Sequence, residues 1–317
     1  MESKAVKRVV SGQEPLAEGS LLAQTRGLLH RFDLRAKKRL GQHFLISGGV
    51  LKRIIAAAEL SPDDVVLEVG PGLGILTREL AKNAGWVIAV ELDSKLAELL
   101  KETLASFGNF AVVNRDILEV DPAALLQEQR ANFPPAISRP SHYKVVANLP
   151  YYITSPVLRH FLEASLKPDL MVVMVQKEVA RAIVARPGKM SVLSVSVQFY
   201  GKPEIVSYVR AGSFYPAPEV DSAILRIALY PAPPVPVTDA RSFFEVVKAG
   251  FCARRKQIAN SLAQGLGLPR AEVSAMLEKA CVASQRRAET LTLEEWARLW
   301  QAFMEWRNRH GDSASAG

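Results

Sequence analysis

Asn148-Leu149-Pro150-Tyr151 is the stretch of this chain whose residue types and order could do chemistry directly. It follows the apolar run Lys144-Val145-Val146-Ala147 and offers, in turn, a side-chain amide, a backbone carbonyl, a rigid turn and an aromatic face. Proline fixes its own φ near about −65° and drives the preceding residue into an extended conformation, so the Leu149 carbonyl is held out of any helix. Two acceptors and a ring suit a flat base bearing an amino group, and the chemistry they suggest is attack by a purine amine. Taken alone, the tetrapeptide also reads as a strand ending in an Asn-x-Pro turn. Its surroundings favour the chemical reading.

Gly70-Pro71-Gly72-Leu73-Gly74 joins an apolar strand to a helix, and Glu91 ends the next strand about 20 residues on. This is the pattern in which backbone approaches a nucleoside closely and a carboxylate takes both ribose hydroxyls. A dinucleotide fingerprint would place a third small residue at Ile75 or Thr77, and a P-loop would need a glycine at Ile183 and a hydroxyl residue at Met190, so both are disfavoured. Asp116 follows a third strand, where its carboxylate could accept from an adenine amine or cap a helix. With adenosine held this way, a sulfonium cofactor leads the candidates, because the protein then has chiefly to align a nucleophile with an activated methyl group.

The elements that must position these groups alternate. Helices are expected at 20–34, 50–60, 75–83, 94–107, 156–165 and from Lys177, with short apolar strands at 65–69, 86–90, 110–113 and 170–175. Strand-like runs cover 191–209 and 223–229, and the polar stretch 127–142 reads as an exposed loop. The pattern predicts an α/β fold: a Rossmann-like, largely parallel sheet with helices on both faces, its ligands at the carboxyl ends of the strands. Pro231-Ala232-Pro233-Pro234-Val235-Pro236 marks a linker, and the chain beyond it is helical throughout. Trp296, Trp300 and Phe303 recur there at helical spacing, which is a core stripe. The expected organisation is a tail over 1–19, a catalytic domain with an N-terminal lid segment over 20–231, a linker over 232–238, a small all-helical RNA-binding domain over 239–309 and a tail over 310–317.

The 317 residues, 49% of them hydrophobic, suffice for one large and one small core. A net charge of +8 favours a polyanionic partner. Cys252 and Cys281 form neither a metal-type pair nor a disulfide framework, and no run approaches a membrane span, so a cytoplasmic protein without a metal site is expected.

These segments resemble the ribosomal RNA adenine N6,N6-dimethyltransferases of the bacterial KsgA (RsmA) type. The matching stretches are KKRLGQHFL at 37–45, VLEVGPGLGILT at 66–77, VIAVELD at 87–93, RDILEVD at 115–121, VVANLPYYITSPVL at 145–158, SFYPAPEVDSAILRI at 213–227 and FCARRKQIANSL at 251–262. The resemblance implies an S-adenosyl-L-methionine-dependent enzyme of ribosome biogenesis that releases S-adenosyl-L-homocysteine. Its implied partner is 16S rRNA within the small ribosomal subunit or its precursor, and its targets two adjacent adenosines in the loop of the last hairpin. It further implies that His43 and Leu45 close over the cofactor, that Gly70 and Gly72 line its methionine portion, and that Glu91 holds the ribose and Asp116 the adenine. Asn148 would stand between cofactor and target. Histidine occupies position 43 where many bacterial members carry asparagine, and the 127–142 segment is longer than the family leads one to expect.

In the mechanism so implied, the Asn148 amide oxygen and the Leu149 carbonyl accept from N6, while Tyr151 and Phe214 sandwich the unstacked base. Phe214 precedes Tyr215-Pro216-Ala217-Pro218, whose prolines would fix its backbone; its bland role is loop packing. Phosphate contacts are expected from Arg35, Lys37, Lys38 and Arg39 beside the lid and from Arg254, Arg255 and Lys256 in the small domain. Two other readings stand beside this one: the related erythromycin-resistance methyltransferases of large-subunit rRNA, and a non-catalytic RNA-binding assembly or transcription factor of the same fold. Either way a monomer is expected.

Overall fold

The computed structural model describes residues 20–36, 41–138, 141–253 and 255–311. In chain order, α1 (Leu21–Arg31), β1 (Phe44–Leu45) and α2 (Gly48–Ala58) lead into β2 (Val65–Val69), α3 (Ile75–Asn83), β3 (Trp86–Val90), α4 (Ser94–Thr103) and β4 (Phe110–Val113). Then come α5 (Pro122–Gln129), β5 (Lys144–Asn148), α6 (Thr154–Glu163), β6 (Leu170–Gln176), α7 (Lys177–Ile183) and α8 (Val192–Tyr200). The strands β7 (Gly201–Val209), β8 (Phe214–Tyr215) and β9 (Ser222–Leu229) close the sheet region, and α9 (Ala240–Phe251), α10 (Ile258–Leu266), α11 (Arg270–Lys279) and α12 (Leu293–Gly311) complete the order.

The main sheet runs β4-β3-β2-β5-β6-β9-β7, parallel through β6, with β9 antiparallel to both of its neighbours. Every residue of β2 and β3 is buried, as strands covered on both faces must be. Alternate side chains feed two cores: Leu67, Ile88, Val145 and Val173 on one face, Val66, Val87, Val146 and Val172 on the other. Strand order reverses at β2, with β3 on one side and β5 on the other, so the crevice for a ligand opens at their carboxyl ends. Among the described residues no helix is long and apolar enough to cross a membrane.

Three sequence expectations change. The run 191–209 is not one strand, because Val192–Tyr200 is helical and only Gly201–Val209 extends. A reciprocal capping box between Ser191 and Ser194 starts this helix. It is wedged between two cores, Val197 against the sheet and Val195 with Phe199 against the C-terminal helices, so no polar face reveals its period. Of the 127–142 segment, the stretch 127–138 is anchored rather than a free loop: α5 reaches Gln129, Ile137 is buried, and the Phe133 ring lies 6.0 Å from the Trp86 ring. Within the proline-rich 232–238 stretch, Val235 is buried in the C-terminal core, which makes the stretch a strap along that core.

α9 and α10 approach so closely that a Cβ on Gly265 would lie 2.5 Å from Ala249 Cα. Gly265→Ala is therefore expected to destabilise the protein by about 1–3 kcal/mol despite alanine's better helix propensity. Chemical denaturation of both proteins checks this, and an unchanged midpoint would refute the close approach.

Candidate active site

A cavity of about 360 Å³ opens at the carboxyl ends of β2 to β5, a volume in the range of small-ligand pockets. Its walls come from the lid segment Gly41–Leu45, the Gly70–Leu73 turn, Glu91 and Leu92, Asp116 to Leu118, and Asn148 to Ile153. The turn works because Gly70 and Gly72 hold φ of +64° and +59°, conformations that side-chained residues rarely adopt. A Cβ on Gly72 would also meet the Phe44 ring at 3.2 Å, so the lid rests directly on the turn.

Glu91 is buried, and both its oxygens are engaged: the Gly72 N–H donates to Oε2 at 3.1 Å and the Asp93 N–H to Oε1 at 2.9 Å. Burial pushes its carboxyl above the usual range, and these backbone donors pull it back. Each oxygen keeps a lone pair for a ligand hydroxyl. Asp116 accepts from the Leu118 N–H at 3.0 Å and so caps the 117–119 turn while lining the cavity.

At the end of β5 the Asn148 Nδ2 donates to the His43 carbonyl at 2.9 Å. With its nitrogen committed to the lid, the amide turns Oδ1 the other way. Leu149 donates its N–H to the Met174 carbonyl at 3.2 Å, and its own carbonyl accepts nothing from the described residues. The Tyr151 hydroxyl shares a 2.7 Å hydrogen bond with Ser222 Oγ, and burial raises the phenol pKa, which keeps it neutral. The His43 ring stacks near Tyr151 with centroids 5.8 Å apart. Its Nδ1 lies 2.7 Å from the Pro216 carbonyl, which can only accept, so Nδ1 carries a proton.

The structure brings His43, Leu45, Gly70, Gly72, Glu91, Asp116, Asn148, Leu149, Pro150 and Tyr151 to this one cavity. Phe214 is not among its lining residues. It pairs with Leu45 across β1 and β8, is 3% exposed and packs into the core with Val50 and Ile54, because strand pairing turns its side chain inward. The expectation that its face is open to a target base is corrected. Arg35, Arg255 and Lys256 are exposed, Lys256 bonding Gln264 at 3.4 Å; Lys37, Lys38, Arg39 and Arg254 lie outside the described residues.

Among the lining residues that sequence reasoning did not single out are Leu92, Leu118, Tyr152 and Glu68. Leu92, Leu118 and Tyr152 are unusually exposed for their type and carry no motif of their own. Glu68 had a signal, a lone carboxylate inside the apolar strand Val65–Val69. Its Oε2 is buried without a well-formed hydrogen bond among the described residues; burial pushes its carboxyl up to about 8, the neighbouring Thr77 hydroxyl pulling it back and the nearby Glu91 charge adding.

Fold and cavity together define a nucleoside-binding transferase of Rossmann-like methyltransferase type. Residues 33–305 match the family model for ribosomal RNA adenine dimethylase. A Ribosomal RNA small subunit methyltransferase A from Dehalococcoides mccartyi is 52% identical over 286 residues, covering 90% of this chain and 94% of that one. Its namesake from Bacillus cereus is 41% identical over 286 residues, with coverages of 89% and 96%. Among solved structures, the 23S rRNA methyltransferase ErmE aligns at a TM-score of 0.63 with 33% identity over 82% of this chain and 98% of its own. A dimethyladenosine transferase from Plasmodium falciparum shares the fold at a TM-score of 0.69, with 24% identity over 83% of this chain and 98% of its own. The chain belongs to the ribosomal RNA adenine dimethylase family, whose activity is N6,N6-dimethylation of rRNA adenine by a donor of the S-adenosylmethionine type.

Two outcomes are expected of this geometry. Asn148→Asp sets an acceptor against the His43 carbonyl, so the lid loosens and methyl-donor affinity falls roughly 5- to 100-fold, read by titration calorimetry. For Glu68 the sign is set by a folded-state pKa of about 8 against an ordinary 4.5: the fold holds the proton more tightly than the unfolded chain does. Stability of the unliganded protein therefore falls as pH rises between those values. Glu68→Gln should flatten that fall, as measured by melting temperature from pH 5 to pH 8.

Proposed function

We propose that this enzyme uses S-adenosyl-L-methionine to dimethylate two adjacent adenosines in the 3′-terminal hairpin loop of 16S rRNA during small-subunit biogenesis. The observation that carries the catalytic part is the Asn148 amide, whose nitrogen is held by the His43 carbonyl. That bond leaves Oδ1, with the free Leu149 carbonyl, to accept from the N6 amine. The amine is a poor nucleophile because its lone pair is delocalised into the ring. Two acceptors favour a pyramidal nitrogen, aim the lone pair at the methyl group and stabilise the positive charge that develops. Asparagine is no strong base, and the proton can leave after transfer.

The residues present fit the methyl donor. Glu91 retains lone pairs for the ribose hydroxyls, Asp116 lines the adenine end, and Leu92 and Leu118 offer apolar surface beside it. Glu68 Oε2, without a well-formed hydrogen bond among the described residues, fits an ammonium group, whose charge would restore the ionised carboxylate. When bound, S-adenosyl-L-methionine supplies an activated methyl group and departs as S-adenosyl-L-homocysteine. His43 and Leu45, on the lid, help to exclude water from it.

The target base must leave its stack, at a cost of a few kcal/mol. Tyr151 provides an aromatic wall, and with Phe214 buried the other aromatic groups at the mouth are Tyr152 and His43. Arg35, Arg255 and Lys256 supply phosphate contacts. Lys189 and Lys248 line the groove between α6, α8 and α9, alongside Arg159, Glu163 and Glu289, and add cations between the two parts of the chain.

The small-subunit target is favoured over large-subunit rRNA by 52% identity to a small-subunit enzyme against 33% to ErmE. The test is transfer of labelled methyl to under-methylated small subunits, followed by nucleoside analysis. N6,N6-dimethyladenosine is expected from the wild type, with the rate at least about 100-fold lower for Asn148→Ala. Product formed only on large-subunit RNA would overturn the assignment.

A further inference from the structure

Large apolar side chains are exposed in two places on the described surface. Leu92, Leu118 and Tyr152 rim the cavity, whereas Val206, Tyr208 and Val220 lie on β7 and the approach to β9. The active site accounts for the first group only. Tyr208 is 51% exposed near the end of the edge strand β7. Two cations one helical turn apart on α7 reach its ring: Lys177 Nζ lies 5.6 Å and Arg181 Cζ 5.5 Å from the centroid. Their acidic partners hold them loosely. Lys177 and Asp221 are 3.8 Å apart, and Arg181 pairs at 2.9 Å with Glu178, whose side chain is 77% exposed; such surface pairs are worth little and exchange readily for phosphate.

This group stands on the segment that holds the active-site wall. The Asp221 backbone carbonyl accepts from the Lys177 N–H at 3.0 Å, its Oδ1 accepts from the Ala211 N–H at 3.2 Å, and the next residue, Ser222, bonds the Tyr151 hydroxyl. A half-exposed aromatic ring with cations drawn over it has the composition of a nucleotide-stacking site, with the exposed part of the ring for a base and the charges for its phosphates. Flipping one base out also deprives its neighbours of a stacking partner, which a nearby ring can replace. We propose that Tyr208 stacks an unpaired base of the rRNA strand flanking the target adenosine, with Lys177 and Arg181 on the adjoining phosphates. The inference rests on the rRNA reading of the active site and deepens it, assigning Tyr208 to substrate affinity and not to the methyl-transfer step.

The experiment compares full-length wild type, Tyr208→Phe, Tyr208→Ala and the Lys177→Ala/Arg181→Ala pair on under-methylated small subunits. Tyr208→Ala should raise Kd and KM for the subunit about 5- to 150-fold while kcat and S-adenosyl-L-methionine affinity hold. Tyr208→Phe, which keeps the face, should behave as wild type. The double variant should lower the slope of log Kd against log salt by roughly 1.4. Wild-type affinity in Tyr208→Ala would overturn the stacking site while leaving the active-site reading intact, and equal losses in the Phe and Ala variants would overturn it in favour of a hydroxyl contact. No methyl transfer to any rRNA by the wild type would instead remove the functional reading, and the stacking site with it.

Discussion

The hydrogen bond from Asn148 to the His43 carbonyl joins two parts of the chain far apart in sequence: the end of a buried central strand and a segment drawn from near the N-terminus. One end of that bond fixes which way the amide faces. The other holds the segment whose next residue, Phe44, lies on the Gly72 turn. In the proposed mechanism, cofactor enclosure and substrate orientation are thus one arrangement, and a single misplaced donor would disturb both. The positive φ values at Gly70 and Gly72 are the precondition, since a side chain at 72 would hold Phe44 and the lid away.

Electrostatics around the same turn derive from burial. Glu68 and Glu91 lie near one another in a site walled mostly by apolar groups, and each carboxyl is displaced upward. They differ in what satisfies them. Glu91 is held by two backbone donors, so its geometry is set before any ligand arrives, whereas Glu68 keeps an oxygen without a well-formed hydrogen bond among the described residues. On the proposed reading, the site is preset where the ribose binds and less so where a positive group enters.

Much of this was legible in the chain because parallel strands buried on both faces leave uninterrupted apolar runs, and each run stops at a residue unlike it. Gly70, Glu91 and Asn148 mark three such stops, and Asp116 lies just past the fourth. What stayed hidden depended on partners distant in sequence. The strand pairing of Leu45 with Phe214 determines which way that ring points, and no local pattern reports it. The Val192–Tyr200 helix alternates like a strand because its neighbours bury it on two sides, so the usual sign of a helix is erased. The lid's grip on Asn148 uses a backbone carbonyl, which every residue has. Glu68 was visible as an anomaly, and its meaning came only with the knowledge that one oxygen lacks a well-formed hydrogen bond among the described residues.

The wedged position of that helix bears on how substrate is measured. Met190, Val195 and Phe199, contributed by the sheet-bearing part of the chain, lie in the same core as Phe243, Trp296 and Leu262 of the C-terminal helices. A shared core of this kind has no hinge at which one part could swing against the other. Arg255 and Lys256, ahead of α10, therefore stand at a set distance from Asn148, and under the proposed function that spacing would act as a ruler. An RNA in which anchoring phosphates and reactive amine are spaced otherwise can touch one end or the other, but not both together.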